Sequence, residues 1–256
     1  MFLPSVQTST VSLFSSTNSE PLQLFRKSVD TSLPVDSCIH FLHDQLSQPK
    51  PKPPSELISP PTNAGTDYSL DQTVLHIQSP TIRTTFIQSP PVDGPSHSDG
   101  RREKLSDLGI KHPWMHIQVR NLDKEWALEV GLVDQSARLG ILRLSTFQVC
   151  FPSSLISYLL HLPISFPSPS THSLTAWSTL TLNLPSYLPY FSSPKLMRDV
   201  DTEGVSRGMR NEAPGGSYSH VAYVRVYATC RLRRIWFSEG GPGQKVPWEF
   251  ELYGYE

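Results

Sequence analysis

The chain has 256 residues with 24 prolines, and only 18% of the residues are charged. Its formal net charge of −1 excludes nucleic-acid binding through overall charge, so an electrostatic partner must meet a local patch. The three cysteines, Cys38, Cys150 and Cys230, are too few for a disulfide framework and indicate a reducing compartment.

Neither a leader nor a membrane span is predicted. Residues 1–7 lack a basic region followed by a continuous apolar run, so no signal peptide is expected. The apolar stretch 149–166 is about long enough to cross a bilayer, but prolines, serines and His161 interrupt it. The sequence therefore indicates an intracellular protein.

In the first quarter of the chain, one candidate strand precedes a proline-rich loop. Cys38–His43 contains residue types that bind zinc, but a fourth ligand is missing nearby, which favours a half-buried strand or short helix. Residues 44–66 contain Pro-Lys-Pro-Lys-Pro-Pro, which cannot pair in a sheet, so a disordered loop is predicted.

The middle of the chain predicts several short strands. Residues 68–90 give two, and polar residues 93–104 predict a loop. Residues 114–120 and 126–132 alternate on either side of a turn at 121–124, which predicts a hairpin.

Residues 141–147 and 177–184 predict two further strands. Residues 149–175 are rich in Ser, Pro and Leu without a period, and 192–217 predict a loop. Residues 185–191 could begin a helix.

The stretch 224–238 is the most informative part of the chain. Apolar residues alternate with outward-pointing ones up to Arg233, which predicts a strand with one face buried. Arg233 and Arg234 are adjacent, so the phase shifts there and predicts a β-bulge or a new strand. The outward arginines are either a charged edge that blocks aggregation or a docking face for an acidic partner.

The C-terminal residues carry no specific catalytic signal. Gly240–Lys245 lacks the ending of a phosphate-binding loop, and a turn is favoured. Residues 248–253 alternate cleanly and predict a strand, with Glu249 and Glu251 on its solvated face rather than paired for glycoside chemistry. The five tryptophans are interpreted mainly as core residues.

Many short strands separated by turn signals indicate an all-β fold, an antiparallel β-sandwich or barrel. No catalytic residue, metal site, cofactor, small-molecule substrate or nucleic-acid partner is predicted. A carbohydrate-binding β-sandwich module is the alternative function, since exposed tryptophans on such a fold would suit sugar stacking.

Eight motifs occur in a fixed order: Glu20–Phe25, Thr84–Ile87, Leu108–Trp114, Arg120–Lys124 with Trp126–Val130, Arg143–Gln148, Trp177 with Leu182–Leu184, Arg225–Ser238 and Pro247–Tyr253. In these motifs the chain resembles the cilia- and flagella-associated protein 20 family, also described as domain of unknown function 667. The stretch Cys230–Ser238 is the most distinctive of them.

The resemblance implies one compact, non-catalytic, jelly-roll-like β-sandwich over residues 1–256, with disordered insertions at 44–66, 149–175 and 192–217. It further implies a structural role at the inner junction of axonemal doublet microtubules, bound to tubulin and neighbouring axonemal proteins. The resemblance also implies where the protein is located. We expect it in the axoneme or basal body of a ciliated organism, and otherwise in the cytoplasm or nucleus. Tubulin is acidic, so the expected partner-binding residues are Arg225, Arg231, Arg233 and Arg234.

The segment 149–175 departs most from the family pattern. It replaces strand-forming sequence between the motif ending at Gln148 and Trp177, and its bias resembles translated non-coding sequence. The hypothesis is a retained intron or a gene-model error, which sequencing of the transcript across codons 145–180 would decide.

Overall fold

The structure is a computed structural model that describes residues 7–49, 70, 72–91, 107–147, 158–166, 177–193 and 213–252. In chain order its strands are β1 (Thr10–Ser15), β2 (Arg26–Ser28), β3 (Cys38–His43), β4 (Gln48–Pro49), β5 (Thr73–Gln78), β6 (Phe86–Ser89), β7 (Trp114–Asn121), β8 (Ala127–Asp134), β9 (Leu139–Ser145), β10 (Tyr158–Pro163), β11 (Trp177–Asn183), β12 (Tyr218–Tyr227) and β13 (Cys230–Ser238). The 3₁₀ helices are Leu184–Ser192, Gly241–Gly243 and Trp248–Phe250.

The strands form two sheets that share one main apolar core. Sheet A has the order β11-β7-β13-β5-β3-β4, with β1 also paired to β13. Sheet B has the order β10-β9-β8-β12-β6-β2. Side chains from both sheets meet in the core, and neither sheet closes into a barrel, so the predicted all-β sandwich is confirmed.

The predicted hairpin of residues 114–132 is wrong. β7 pairs with β11 and β13 in sheet A, whereas β8 pairs with β9 and β12 in sheet B. The chain crosses from one sheet to the other between Asn121 and Ala127. Alternation predicts that each segment is a strand, but it does not specify which strand lies beside it.

The long arginine-containing stretch also crosses between the sheets. β12 ends at Tyr227 in sheet B, and β13 begins at Cys230 in sheet A. The predicted bulge is confirmed, because the register of β13 against β7 shifts between Leu232 and Arg234. Cys230 lies in the core, where burial raises the pKa of its thiol to about 12.

Two differences from the sequence-based prediction concern the later part of the chain. Within 149–175 the described part includes β10, which pairs in parallel with β9 at the edge of sheet B. The predicted strand at 248–253 is wrong, since a 3₁₀ helix follows Pro247. That segment lies over the outer face of sheet A, where its backbone accepts side-chain hydrogen bonds instead of pairing with a strand.

Several other predictions have definite outcomes. Cys38–His43 is a half-buried strand, and the 3₁₀ helix Leu184–Ser192 occupies the place where a helix was expected. β1, β2 and β4 were missed by the sequence analysis, and β4 pairs with β3 within residues 44–66, where a disordered loop unable to pair in a sheet was predicted. The predicted loop at 93–104 and most of 44–66 and 192–217 lie outside the described residues, and a single domain over 1–256 stays a prediction.

Removal of one central side chain from the core should lower the free energy of unfolding strongly. Phe237 on β13 is fully buried between the sheets. We expect Phe237→Ala to lower the free energy of unfolding by about 3–5 kcal/mol, because it leaves a cavity. Denaturant titration followed by circular dichroism measures this. Val35→Ala, at an almost fully exposed position, is the control and should change stability by less than ~0.5 kcal/mol; equal effects would contradict the assigned core.

Candidate partner-binding surfaces

The four arginines expected to bind a partner do not form one surface. Val224 and Val226 of β12 point into the core, so Arg225 lies on the outer face of sheet B. Cys230 and Leu232 of β13 also point into the core, so Arg231 lies on the outer face of sheet A. The structure therefore places Arg225 on the opposite side of the sandwich from the other three.

Arg231 binds a buried carboxylate that belongs to a loop. Its Nη1 donates to Oδ1 of Asp44 at 2.7 Å and to the Asp44 backbone oxygen at 2.8 Å. Arg120 of β7 donates to the same Oδ1 at 3.0 Å. The indole N–H of Trp177 in β11 and the backbone N–H of Leu70 both donate to Oδ2, at 2.7 and 2.8 Å. Asp44 thus connects three strands of sheet A to the turn that follows β3.

These contacts determine the protonation of Asp44. Burial alone would raise the pKa of this carboxyl, but hydrogen bonds from Leu70, Trp177 and Arg231, with the charge of Arg120, hold its pKa below the ordinary value. The carboxylate is therefore ionised at neutral pH, and its charge is balanced inside the protein by Arg231 and Arg120.

The bulge turns two neighbouring arginines toward the same side of sheet A. Arg233 donates to the side-chain oxygens of Gln72 and Gln118, at 3.0 and 2.5 Å, and to the backbone oxygen of Glu249 at 3.0 Å. The Arg234 guanidinium lies 4.3 Å from the centre of the Phe250 ring, and burial lowers its pKa. Both arginines are therefore covered by the segment that follows Pro247.

The polar layer continues past the arginines on the same face. His116 of β7 stacks on Trp236 with 4.7 Å between ring centres, and its nitrogens contact the hydroxyls of Thr181 and Ser238. Burial lowers the pKa of His116 to about 4, so this ring is neutral near pH 7. The outer face of sheet A is therefore a second packed layer.

Two expectations about the arginines are corrected. Arg231, Arg233 and Arg234 are only 8%, 3% and 7% exposed, so this face is not open to solvent. β13 is not an edge strand either, because β7 lies on one side and β5 and β1 on the other. Contact of these residues with a partner stays a prediction.

Sheet B presents a more open charged face, organised around Glu129 of β8. Arg143 of β9 donates through Nε to Oε1 of Glu129 at 2.7 Å, and its Nη2 contacts the same oxygen. The Tyr227 hydroxyl donates to Oε2 at 2.9 Å, and Nη1 of Arg225 lies 3.4 Å from it. The side chains of Arg225 and Arg143 are 29% and 22% exposed, whereas that of Glu129 is buried. Sequence analysis missed Glu129 because alternation alone does not show which cross-strand neighbours it meets.

Metal and sugar sites find little support in the part of the chain described. Among these residues no cluster of three or more His, Cys, Asp or Glu side chains is placed to hold a metal ion, including around Cys38. Trp126, Trp177 and Trp236 are buried, Trp114 is half-buried, and Trp248 is exposed outside any strand. No helix in these ranges is long and apolar enough to cross a membrane.

A family model described as the CFA20 domain matches residues 60–194, more than half of the chain. The chain belongs to the CFA20 domain family. Proteins named cilia- and flagella-associated protein 20 are similar to it over 189 residues, or 73% of this chain. The protein from Chlamydomonas reinhardtii is 24% identical over 77% of its own length, that from Caenorhabditis briggsae 25% over 72%, and that from Paramecium tetraurelia 23% over 77%.

Asp44 provides a test of the covered face in this CFA20 domain. We expect Asp44→Asn to lower the free energy of unfolding by about 3–5 kcal/mol, because it leaves the buried Arg231 and the half-buried Arg120 without their carboxylate. Denaturant titration at pH 7 measures the loss, and Asp36→Asn, at an exposed position, is the control.

The lowered pKa of Asp44 also predicts how the free energy of unfolding depends on pH. Since the folded-state pKa of Asp44 lies below its unfolded value of about 3.9, its stabilisation is present above that pH and is lost as the pH falls further. Asp44→Asn should therefore show a shallower loss of stability below about pH 4 than the native chain. Identical slopes would contradict the assigned role of Asp44.

Proposed function

We propose that this protein is a non-catalytic structural component of the ciliary or flagellar axoneme. In this proposal it sits at the inner junction of doublet microtubules and binds tubulin and neighbouring axonemal proteins. The observation that carries the proposal is family membership together with similarity, over 73% of the chain, to proteins named cilia- and flagella-associated protein 20.

The use of polar side chains supports a structural role. The charged residues on each sheet bind one another. Asp44 binds Arg231 and Arg120 on sheet A, and Glu129 binds Arg143 and Arg225 on sheet B. A hydrolase would instead require acids and a nucleophile that converge on a substrate cleft. Ion pairs that connect a strand to a neighbouring strand or turn order a surface, which suits a protein that joins other proteins.

Electrostatics supports an acidic partner even though the net charge is −1. Arg225 and Arg143 leave part of their guanidinium surface in solvent on sheet B, while the carboxylate between them is buried. A partly exposed arginine pair above a buried acid is locally attractive to a negatively charged surface such as that of tubulin.

The proposal is tested by co-sedimentation of the purified chain with taxol-stabilised microtubules and by imaging a tagged copy in ciliated cells. We expect saturable binding that weakens from 50 to 200 mM salt, and a signal along the axoneme. Absence of both sedimentation and axonemal signal would overturn the proposal.

Variants of the predicted arginines separate contact from stability. We expect Arg225→Gln to weaken co-sedimentation several-fold, because a partly exposed charge is removed, and to lower the melting temperature less than reversal of Arg231 or Arg233, because Arg143 and Tyr227 still bind Glu129. The sequence-based prediction is that Arg231→Glu and Arg233→Glu also weaken it.

These two reversals bury a negative charge beside Asp44 or Gln118, so we expect them to destabilise the fold. Binding must therefore be compared at a temperature where calorimetry shows each variant to be folded. Undiminished binding by folded Arg225→Gln would count against Arg225 as a contact.

A further inference from the structure

A single row of residues crosses the whole outer face of sheet B. Strand pairing places each member directly opposite the next, from β2 at one edge to β10 at the other. The row consists of Arg26, Gln88, Arg225, Glu129, Arg143 and His161. Its members share the outer face, because their neighbours Val224, Val226, Leu128, Val130, Leu142 and Leu144 fill the core.

This row, called the sheet B row below, is positively charged. It holds three arginines and one glutamate, and the glutamate is buried while Arg26 is exposed. Arg225 is held in place by Gln88, to which its Nε donates at 2.8 Å, and by the Phe86 ring, 4.8 Å from its guanidinium carbon. Burial alone would lower the pKa of Arg225, but Tyr227 and Glu129 raise it, so the charge is fixed.

A strip of apolar side chains runs beside the row. Strand pairing aligns its members across four strands, in the order Tyr223, Gly131, Ile141 and Leu159. Gly131 is required because the Tyr223 ring lies against it: a β-carbon there would be 2.5 Å from a ring carbon. Leu159 and the neighbouring Leu139 are 37% and 39% exposed. The face therefore combines positive charge with apolar surface available for contact.

The spacing of the arginines selects a shape of partner. Arg26, Arg225 and Arg143 lie on alternate strands of the sheet, and adjacent strands are about 4.8 Å apart, so the backbone positions of the arginines repeat at about 10 Å. An extended polyproline II segment rises about 3.1 Å per residue with three residues per turn. Its residues i, i+3 and i+6 lie on one side at about 9 Å intervals, which matches the arginine repeat.

We propose that the sheet B row docks an extended acidic protein segment whose carboxylates recur at every third residue. The apolar side chains of this segment contact the strip formed by Tyr223, Ile141 and Leu159. This inference rests on the proposed role in binding an acidic assembly and names the surface and the form of the ligand. Sheet A does not offer such a face, because Asp44 and the segment after Pro247 cover its arginines.

Two peptides of equal composition and charge test the spacing. One carries three glutamates at i, i+3 and i+6 with a leucine and prolines between them, and the other carries the same residues with the glutamates adjacent. We expect fluorescence anisotropy with the full chain to give at least about fivefold tighter binding of the spaced peptide at 50 mM salt. Equal affinity of the two peptides would overturn the proposed spacing.

Matched variants test the surface. Arg26→Glu on the exposed edge strand β2 and Leu159→Asp on the edge strand β10 should each weaken binding of the spaced peptide about tenfold. Lys245→Glu makes the same change in net charge as Arg26→Glu, at an exposed position after β13, and should stay within about twofold of the native chain. An equal loss for Lys245→Glu, or none for Arg26→Glu and Leu159→Asp, would overturn the assignment to sheet B.

The same variants separate this inference from the proposed function. Microtubule binding that survives Arg26→Glu and Leu159→Asp would leave the proposed function standing and overturn sheet B as the docking face. Spaced-peptide binding through the row without microtubule binding would support the face and count against tubulin as the partner.

Discussion

The organisation of sheet A depends on one buried carboxylate. Asp44 lies in the turn after β3, yet its two oxygens accept hydrogen bonds from Arg231, Arg120 and Trp177 on three different strands. A buried charge is tolerated only when its partners are complete, because desolvation otherwise outweighs the attraction. The turn must therefore sit over the sheet, and the arginines must point at it. This pairing converts what would be a solvated face into a layer protected from water.

The two sheets use similar residues to opposite effect, and the position of the acid explains the difference. Glu129 is part of strand β8, so it binds Arg143 and Arg225 within the sheet and leaves their outer surfaces partly in solvent. Asp44 comes from a loop, so its bonds to Arg231 bring that loop down over the strands. An acid within a strand thus orders an open charged face, whereas an acid on a loop covers one.

Local periodicity predicted many of the strands and, within 224–233, the side on which each residue lies, but it did not predict which strands are neighbours. Alternation over 224–233 correctly separated core residues from outward ones, and the adjacent Arg233 and Arg234 marked the bulge. The exposure of those arginines could not be predicted, since Asp44 and Gln72 are more than 150 residues away in sequence. The hairpin at 114–132 failed for the same reason, because partner strands are selected by packing between distant segments.

Coverage, rather than the number of arginines, decides which face can meet another protein. Arg231, Arg233 and Arg234 make the more conspicuous motif in the sequence, but Arg231 and Arg233 donate to Asp44, Gln118 and the backbone of Glu249, and Arg234 lies against the Phe250 ring. Turning Arg231 toward a partner would leave the buried Asp44 carboxylate without one of its two ion-pair partners. On the sheet B row, part of each guanidinium of Arg225 and Arg143 already faces solvent while both arginines remain bound to Glu129, and Arg26 is exposed. A rigid, pre-ordered face loses little conformational entropy on association, and that favours sheet B as the surface on which this sandwich builds an assembly.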